Sequence, residues 1–255
     1  MSDIKQQKII MMFDEIANNY DLANSVMTLG INKIWRKNAI KIALKMQPDP
    51  IKVLDVACGS GDMMLLWKEA LQNKVSIFGI DPSLKMLDIA QKKLDNKSDF
   101  EQTKEALAKE NSDFGVFFTN GFAQELGFIK EKSINIISIA FGLRNVVDLD
   151  SAICEFSRIL KDDGILVILE FMKRDQRGFP KKGFLDGFLN FYVTKILPLV
   201  GGIVSRNYKA YKYLPNSIDG FLTTKELGQK LSKNGLKIEV TKTYAKVATL
   251  IIARK

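Results

Sequence analysis

No histidine occurs anywhere in the 255-residue chain, and that absence removes whole classes of chemistry. A Ser-His-Asp or Cys-His nucleophile needs an imidazole base, and a His-ligated metal site needs imidazole donors. Two cysteines, Cys58 and Cys154, are too few for a thiolate zinc site or a disulfide framework. Both are expected as free thiols in a reducing compartment, and no metal is expected. No apolar run reaches the ~20 residues that a membrane span needs. The polar N-terminus has no apolar stretch of the kind a secretory signal carries, so a cytoplasmic location is expected. Internal repeats and low-complexity tracts are lacking too. Any proton transfer falls to Asp, Glu, Tyr or Lys, to Arg through water, or to solvent.

What is present centres on Val53 to Asp62, V-L-D-V-A-C-G-S-G-D, with Gly79-Ile80-Asp81 about one helix later. An apolar run ending in an acid reads as a buried strand. Gly59 and Gly61 allow a sharp turn and close approach to a ligand. Met63 to Leu71 then resumes at helical period, and Val75 to Ile80 is a second strand ending in Asp81. Ligands of open parallel sheets sit at the carboxyl ends of such strands. An acid closing the second strand suits a ribose, whose two hydroxyls a carboxylate can accept. The third glycine of a dinucleotide fingerprint is replaced by Met64, and no phosphate-gripping Lys-Ser or Lys-Thr follows. A ligand with a ribose and no pyrophosphate remains. Asp55 agrees, since it would repel phosphate and favour a cationic or amino-bearing group. A generic glycine turn of an α/β fold is the bland alternative. The whole arrangement resembles motifs I and II of class I S-adenosylmethionine-dependent methyltransferases.

Along the chain, 1–47 reads as an N-terminal helical cap, with Phe13, Ile16, Ala17 and Tyr20 at helical spacing and a break near Gly30. Strands are expected at Lys52–Val56, Val75–Ile80, Val116–Thr119, Ile134–Ala140, Ile165–Phe171, Leu236–Val240 and Val247–Ala253. Helices are expected from Pro82-Ser83 to Leu94, over Leu149–Leu160, and from Thr223 to Leu231. This alternation predicts an α/β fold with a mostly parallel sheet and one antiparallel edge strand. The length suits a single domain over 1–255. The stretch from Met172 to Asn216 reads as a helical insertion after the fifth strand. It holds nine basic residues against two acids, among many aromatics, within a chain of net charge +9. Basic and aromatic together point to nucleic acid or to an anionic membrane surface; aromatics of a solvated cap facing inward would look the same.

Further strings narrow the family. Ala140 to Val146 reads A-F-G-L-R-N-V, Phe13 to Asp21 reads F-D-E-I-A-N-N-Y-D, and Gly30-Ile31-Asn32 precedes Trp35. Leu169-Glu170-Phe171 ends the fifth strand, and Tyr211-Lys212-Tyr213-Leu214 leads to Ser217-Ile218. From about Met12 to Arg254 these stretches resemble the UbiE-type family of C-methyltransferases of menaquinone and ubiquinone biosynthesis. The resemblance implies a Rossmann-like class I methyltransferase fold with seven strands, and S-adenosylmethionine as cofactor. It places cofactor contacts on Asp55, Gly59, Ser60 and Gly61, on Asp81 with Pro82, on Phe122-Ala123 beside the adenine, and on Ala140. The chain departs from the family at Cys58, where Gly is common, at Ser60 (Thr), Phe122 (Asn) and Ala140 (Ser).

The resemblance also implies the reaction. A ring carbon of a polyprenyl quinol becomes nucleophilic when a ring hydroxyl ionises, and a phenol's pKa is about 10. A fixed cation lowers it. Arg144, past the fourth strand, is expected in that role, acting electrostatically or through water, with Asn145 donating to a ring oxygen or orienting that water. Tyr20 is a third candidate, with Asp21 as its acid–base partner. The competing reading of Arg144 is an ion pair with Asp148 or Asp150, and Trp35 and Trp67 are expected to be packing residues. A quinol partner gives the basic stretch a use at an anionic bilayer, peripherally on the inner face of the cytoplasmic membrane. A homodimer is allowed, and nucleic acid is not expected as a partner. An RNA, DNA or other small-molecule methyltransferase on the same fold, or a non-catalytic scaffold, is the alternative.

Overall fold

A computed structural model describes residues 2–71, 75–109, 114–173, 199–202, 207–245 and 247–255. Most of the basic, aromatic stretch, with Lys181 and Lys182, lies outside them.

Apolar runs become the inner strands. β1 (Lys52–Val56), β2 (Ser76–Asp81), β3 (Gly115–Asn120), β4 (Ile134–Ala140), β5 (Leu160–Phe171), β6 (Lys237–Tyr244) and β7 (Ala248–Arg254) form one sheet in the order β3-β2-β1-β4-β5-β7-β6. The first five run parallel, and β7 is antiparallel to both its neighbours. The antiparallel strand therefore sits one place in from the edge, with β6 outside it. β1 and β2 are buried along their whole length because helices cover both sides.

Those helices are α1 (Ser2–Thr28), α2 (Ile31–Met46), α3 (Asp62–Leu71), α4 (Leu84–Lys93), α5 (Phe100–Ala108), α6 (Leu149–Ile159), α7 (Tyr208–Asp219) and α8 (Thr224–Lys233). On one face Val53, Ile77, Ile136 and Val167 pack with Trp35, Ala39, Met64 and Trp67. On the other, Leu54, Phe78, Ile137 and Leu166 pack with Leu107, Phe156, Leu227 and Leu231. Alternate residues of each strand thus serve opposite faces.

Side-chain caps fix several helix starts. Ser83 caps α4, Asp148 caps α6, and Thr223 forms a capping box with Glu226 at α8. Asp99 caps α5, which follows α4 as a separate helix. One expected boundary shifts. Asp162-Asp163-Gly164, between the helix expected to end at Leu160 and the strand expected from Ile165, lies inside β5 as an irregularity, where pairing jumps from Ile134↔Leu160 to Ile136↔Ile165 and Asp163 adopts φ 65°. A bulge absorbs extra residues without ending a strand, which sequence spacing does not reveal.

The strand order reverses between β1 and β4. Crevices of doubly wound sheets open at that switch point. The glycine loop leaves β1 there, and the F-G-L-R-N segment leaves β4 beside it.

Candidate active site

A cleft opens at this switch point. Gly59, Asp81, Pro82, Phe122, Ala123 and Ala140 all line it, together with Phe141, Gly142 and Asn145. Gln6, Ile9, Ile10 and Phe13 of α1 roof it. The loops meet closely: a Cβ on Gly142 would lie 2.6 Å from the Ala57 Cβ. Ala57 (φ 52°) and Phe141 (φ 61°) both hold left-handed backbone at the ends of β1 and β4. Such strain in non-glycine residues persists where the surroundings enforce it, commonly at functional sites.

Asp81 is buried and fixed. Its Oδ2 accepts from the Gly59 N–H at 2.9 Å and its Oδ1 from the Ser83 N–H at 2.8 Å. Burial outweighs these bonds and pushes its pKa up to about 6. Remaining lone pairs can accept ribose hydroxyls. The Gln6 Oε1 is buried with no hydrogen-bond partner among the described residues, in the roof of the same cleft. A buried orphan acceptor is costly unless a ligand donates to it. Both observations fit a nucleoside.

Asp55 lies behind the glycine loop rather than on the cleft wall. It accepts from the Ser138 Oγ at 2.6 Å, which in turn receives the Trp67 Nε1–H at 3.0 Å. Burial raises Asp55 to about 7. Trp67 is therefore more than filler, since it orients the hydroxyl that holds Asp55. Ser60 and Gly61 also sit off the cleft wall. The φ of +81° at Gly61 and its 3.0 Å clearance from the Ala90 Cβ leave no room for a side chain. The Ser60 Oγ donates to Asp21, and Lys93 bridges Asp21 at 2.6 Å and Asp62 at 2.7 Å. Asp21 is thus bound to the glycine loop and to α4. Ser60 and Lys93 engage its two oxygens.

Arg144 is also paired, but not with Asp148 or Asp150. Asp148 caps α6, and Asp150 pairs with Lys230. The Arg144 Nη1 donates to Glu170 Oε1 at 2.6 Å and to the Phe141 carbonyl at 2.7 Å, and its Nε donates to the Ser217 Oγ at 3.2 Å. Glu170 also accepts the Arg144 and Phe171 backbone N–H groups. The pair is desolvated, with Glu170 at 0% and Arg144 at 8% side-chain exposure. The Asn145 Oδ1 accepts from the Tyr213 hydroxyl at 3.1 Å. Tyr20 sits close enough to Arg144 and Arg36 for both to pull its pKa down, yet burial dominates and the phenol stays raised.

Three residues join the site that motif reading gave no role: Glu170, Tyr213 and Arg36. Glu170 shared the signal of Asp55 and Asp81, an acid near the end of an apolar strand. Tyr213 lay in a quoted string, and only folding brings α7 to Asn145. Arg36 is 7% exposed, its Nε has no hydrogen-bond partner among the described residues, and its guanidinium lies 5.1 Å from the Phe141 ring centroid. Trp35 stacks on Tyr244 at 6.0 Å and leans on Phe141, so it packs as expected.

Comparison with known proteins agrees with this geometry. The ubiE/COQ5 methyltransferase family model matches residues 1–255. The chain is 40% identical to the ubiquinone/menaquinone biosynthesis C-methyltransferase UbiE of Campylobacter jejuni, over 98% of this chain and 99% of that protein. It is 33% identical to the demethylmenaquinone methyltransferase of Thermotoga maritima, over 94% of this chain and 93% of that one. Among solved structures, an S-adenosylmethionine-dependent methyltransferase of Thermotoga maritima superposes with a TM-score of 0.58 at 19% identity, over 97% of this chain and 99% of that chain. That likeness concerns the fold.

Proposed function

Because the chain belongs to the ubiE/COQ5 methyltransferase family, we propose that it methylates a ring carbon of a reduced polyprenyl quinol, of the demethylmenaquinol or 2-methoxy-6-polyprenyl-1,4-benzoquinol kind. It is a methyltransferase that uses S-adenosylmethionine. When bound, that molecule supplies a methyl group on a sulfonium. The observation that carries the reading is that Asn145, after β4, lines the same cleft as Asp81 at the end of β2, with Arg144 next to it in the chain and Tyr20 near enough to feel the Arg144 charge.

Asp81 and the Gly59 loop hold the nucleoside, with Pro82, Phe122 and Ala123 shaping its cleft and Ala140 lying toward β4. Asp55, Ser60 and Gly61 act from behind, by fixing the loop. At the other end, the quinol oxygen needs hydrogen-bond donors and positive charge in a desolvated place. The hydroxyl of Tyr213 occupies the Asn145 Oδ1, which leaves the Asn145 Nδ2 to donate toward the cleft. Tyr20, with its pKa raised, stays protonated behind the cleft, where its hydroxyl shares a hydrogen bond with the Asn24 side chain. Glu170 neutralises Arg144, so Arg144 is a fixed hydrogen-bonding group held in register by a buried partner. Arg36, whose Nε has no hydrogen-bond partner among the described residues, adds positive charge beside Tyr20, a charge that the Asp55 carboxyl also feels. Its placement supports the ionised quinol as the reacting species.

Peripheral contact with an anionic membrane on the cytoplasmic side belongs to this reading, because a polyprenyl tail keeps the substrate in lipid. The basic composition of Met172 to Asn216 supports it. Among the described residues no helix is long and apolar enough to cross a membrane.

Tyr213→Phe tests the site. Releasing the Asn145 amide should lower turnover of the saturated complex about tenfold, the worth of one hydrogen bond. Affinity for S-adenosylmethionine by calorimetry should not change. Loss of affinity with intact turnover would make Asn145 a cofactor residue instead.

A further inference from the structure

The corner between α1 and α2 turns its apolar side chains outward. Gly30 (φ 74°) reverses the chain between the two helices. Leu22, Val26 and Leu29 follow one another at intervals of four and three residues along α1 and its end, and all three are exposed, Leu29 at 81%. Ile31 and Ile34 continue the patch onto α2, with Ile34 at 57%. The opposite faces are already used: Ala23 and Met27 pack inward, as do Trp35, Ala39 and Ala43. Isolated surface apolars need no explanation, but five on one corner do.

Charge identifies the occupant. From Leu22 to Gln47 the chain has no acid and five basic residues, Lys33, Arg36, Lys37, Lys41 and Lys45. Arg36 points inward, and the four lysines are exposed. Ile34, Lys37 and Lys41 lie on one face of α2 by helical spacing. Apolar tips rimmed by lysine suit the headgroup layer of an anionic bilayer. A second copy of the same corner would bring like charges together. We infer that the α1–α2 corner is the surface on which this enzyme sits on an anionic membrane, its apolar tip in the acyl boundary and its lysines on lipid phosphates. The inference rests on the quinol reading for its purpose. Leu22 follows two residues after Tyr20, and Trp35 leans on Phe141, so a docked corner brings the substrate end of the cleft to the lipid. A tail can then remain in the bilayer while the ring reaches Phe141 and Asn145.

The test uses the full chain and sedimentation with vesicles of phosphatidylcholine alone or with phosphatidylglycerol. Wild type should bind only the anionic vesicles, and less as salt rises. Leu29→Gln/Ile34→Gln should weaken binding tenfold or more. Lys37→Gln/Lys41→Gln should weaken it by a similar factor at low salt, from ~1 kcal/mol per lysine. Both variants should methylate a short-tailed quinol as wild type does. Undiminished vesicle binding by both overturns the corner, even if Lys181→Glu/Lys182→Glu abolishes binding and the membrane contact lies there. Absence of binding by wild type also overturns it. If Leu29→Gln/Ile34→Gln instead splits a dimer and leaves vesicle binding intact, the patch belongs to a second copy. Should that variant fold poorly, the lysine variant decides. Failure of the wild type to methylate any quinol would sink the substrate reading separately, since vesicle binding does not depend on it.

Discussion

Asp55, Asp81 and Glu170 each stand at or near the carboxyl end of an apolar strand, and each is held differently. Glu170 has a guanidinium. Asp81 has two backbone N–H groups and Asp55 has one hydroxyl, so desolvation wins at both. The consequence for stability follows from linkage. In the unfolded chain these carboxyls ionise near 3.8, and in the folded protein near 6 and 7. Between those values the folded state binds more protons than the unfolded one. Their contribution is therefore most favourable at the acid end of that window and is lost as pH rises through it. Asp55→Asn keeps an oxygen for the Ser138 hydroxyl and removes the titration. Denaturant unfolding of the ligand-free protein should show wild type losing stability relative to Asp55→Asn between about pH 5 and pH 7.5. A constant difference across that range would mean that Asp55 ionises normally. Asp55 and Asp81 were legible because strand-terminal acids beside a glycine turn leave a local pattern. Arg36 was not: nothing in its neighbours Trp35 and Lys37 says which cation is buried, and only packing against Phe141 decides it.

At the scale of elements, the Arg144–Glu170 pair ties the segment after β4 to the end of β5, and Ser217 adds α7 to the tie. Removing one partner of such a pair strands the other charge. Arg144→Ala should cost about 3–5 kcal/mol of folding stability, and Arg144→Ala/Glu170→Gln should recover much of it. Equal stabilities for the single and double variants would mean that solvent already screens Glu170. Turnover of Arg144→Ala thus has to be read on protein shown to be folded. The roofing helix depends on similar polar ties. Asp14 on α1 accepts from the Ser83 Oγ at the start of α4, and Asp21 accepts from Ser60. Strand positions were readable from apolar runs, most closely for β1 and β4, which are short and buried. The start of β5 was not, because a bulge and a turn share the residues Asp-Asp-Gly. The place of β7 was not readable either, since alternation gives strand order along the chain and not across the sheet.

At the scale of the molecule, the sheet reversal between β1 and β4 brings five separate stretches of sequence to one cleft. They are the roof of α1, the glycine loop, the acid of β2, the Phe122-Ala123 segment after β3 and the F-G-L-R-N turn. On the proposed reading their chemistry divides along the cleft, with the hydroxyl-accepting Asp81 at the β2 end and the Asn145 amide at the β4 end, where Arg36 lies behind Phe141. That division is the central claim, and transfer of labelled methyl from S-adenosylmethionine tests it most directly. The purified chain should label the ring carbon of a reduced demethylmenaquinol-type quinol. It should leave the oxidised quinone and RNA unlabelled, because neither offers a phenolic oxygen whose ionisation activates a ring carbon. Label on the quinone at the same rate, or on RNA and not on the quinol, would contradict the account.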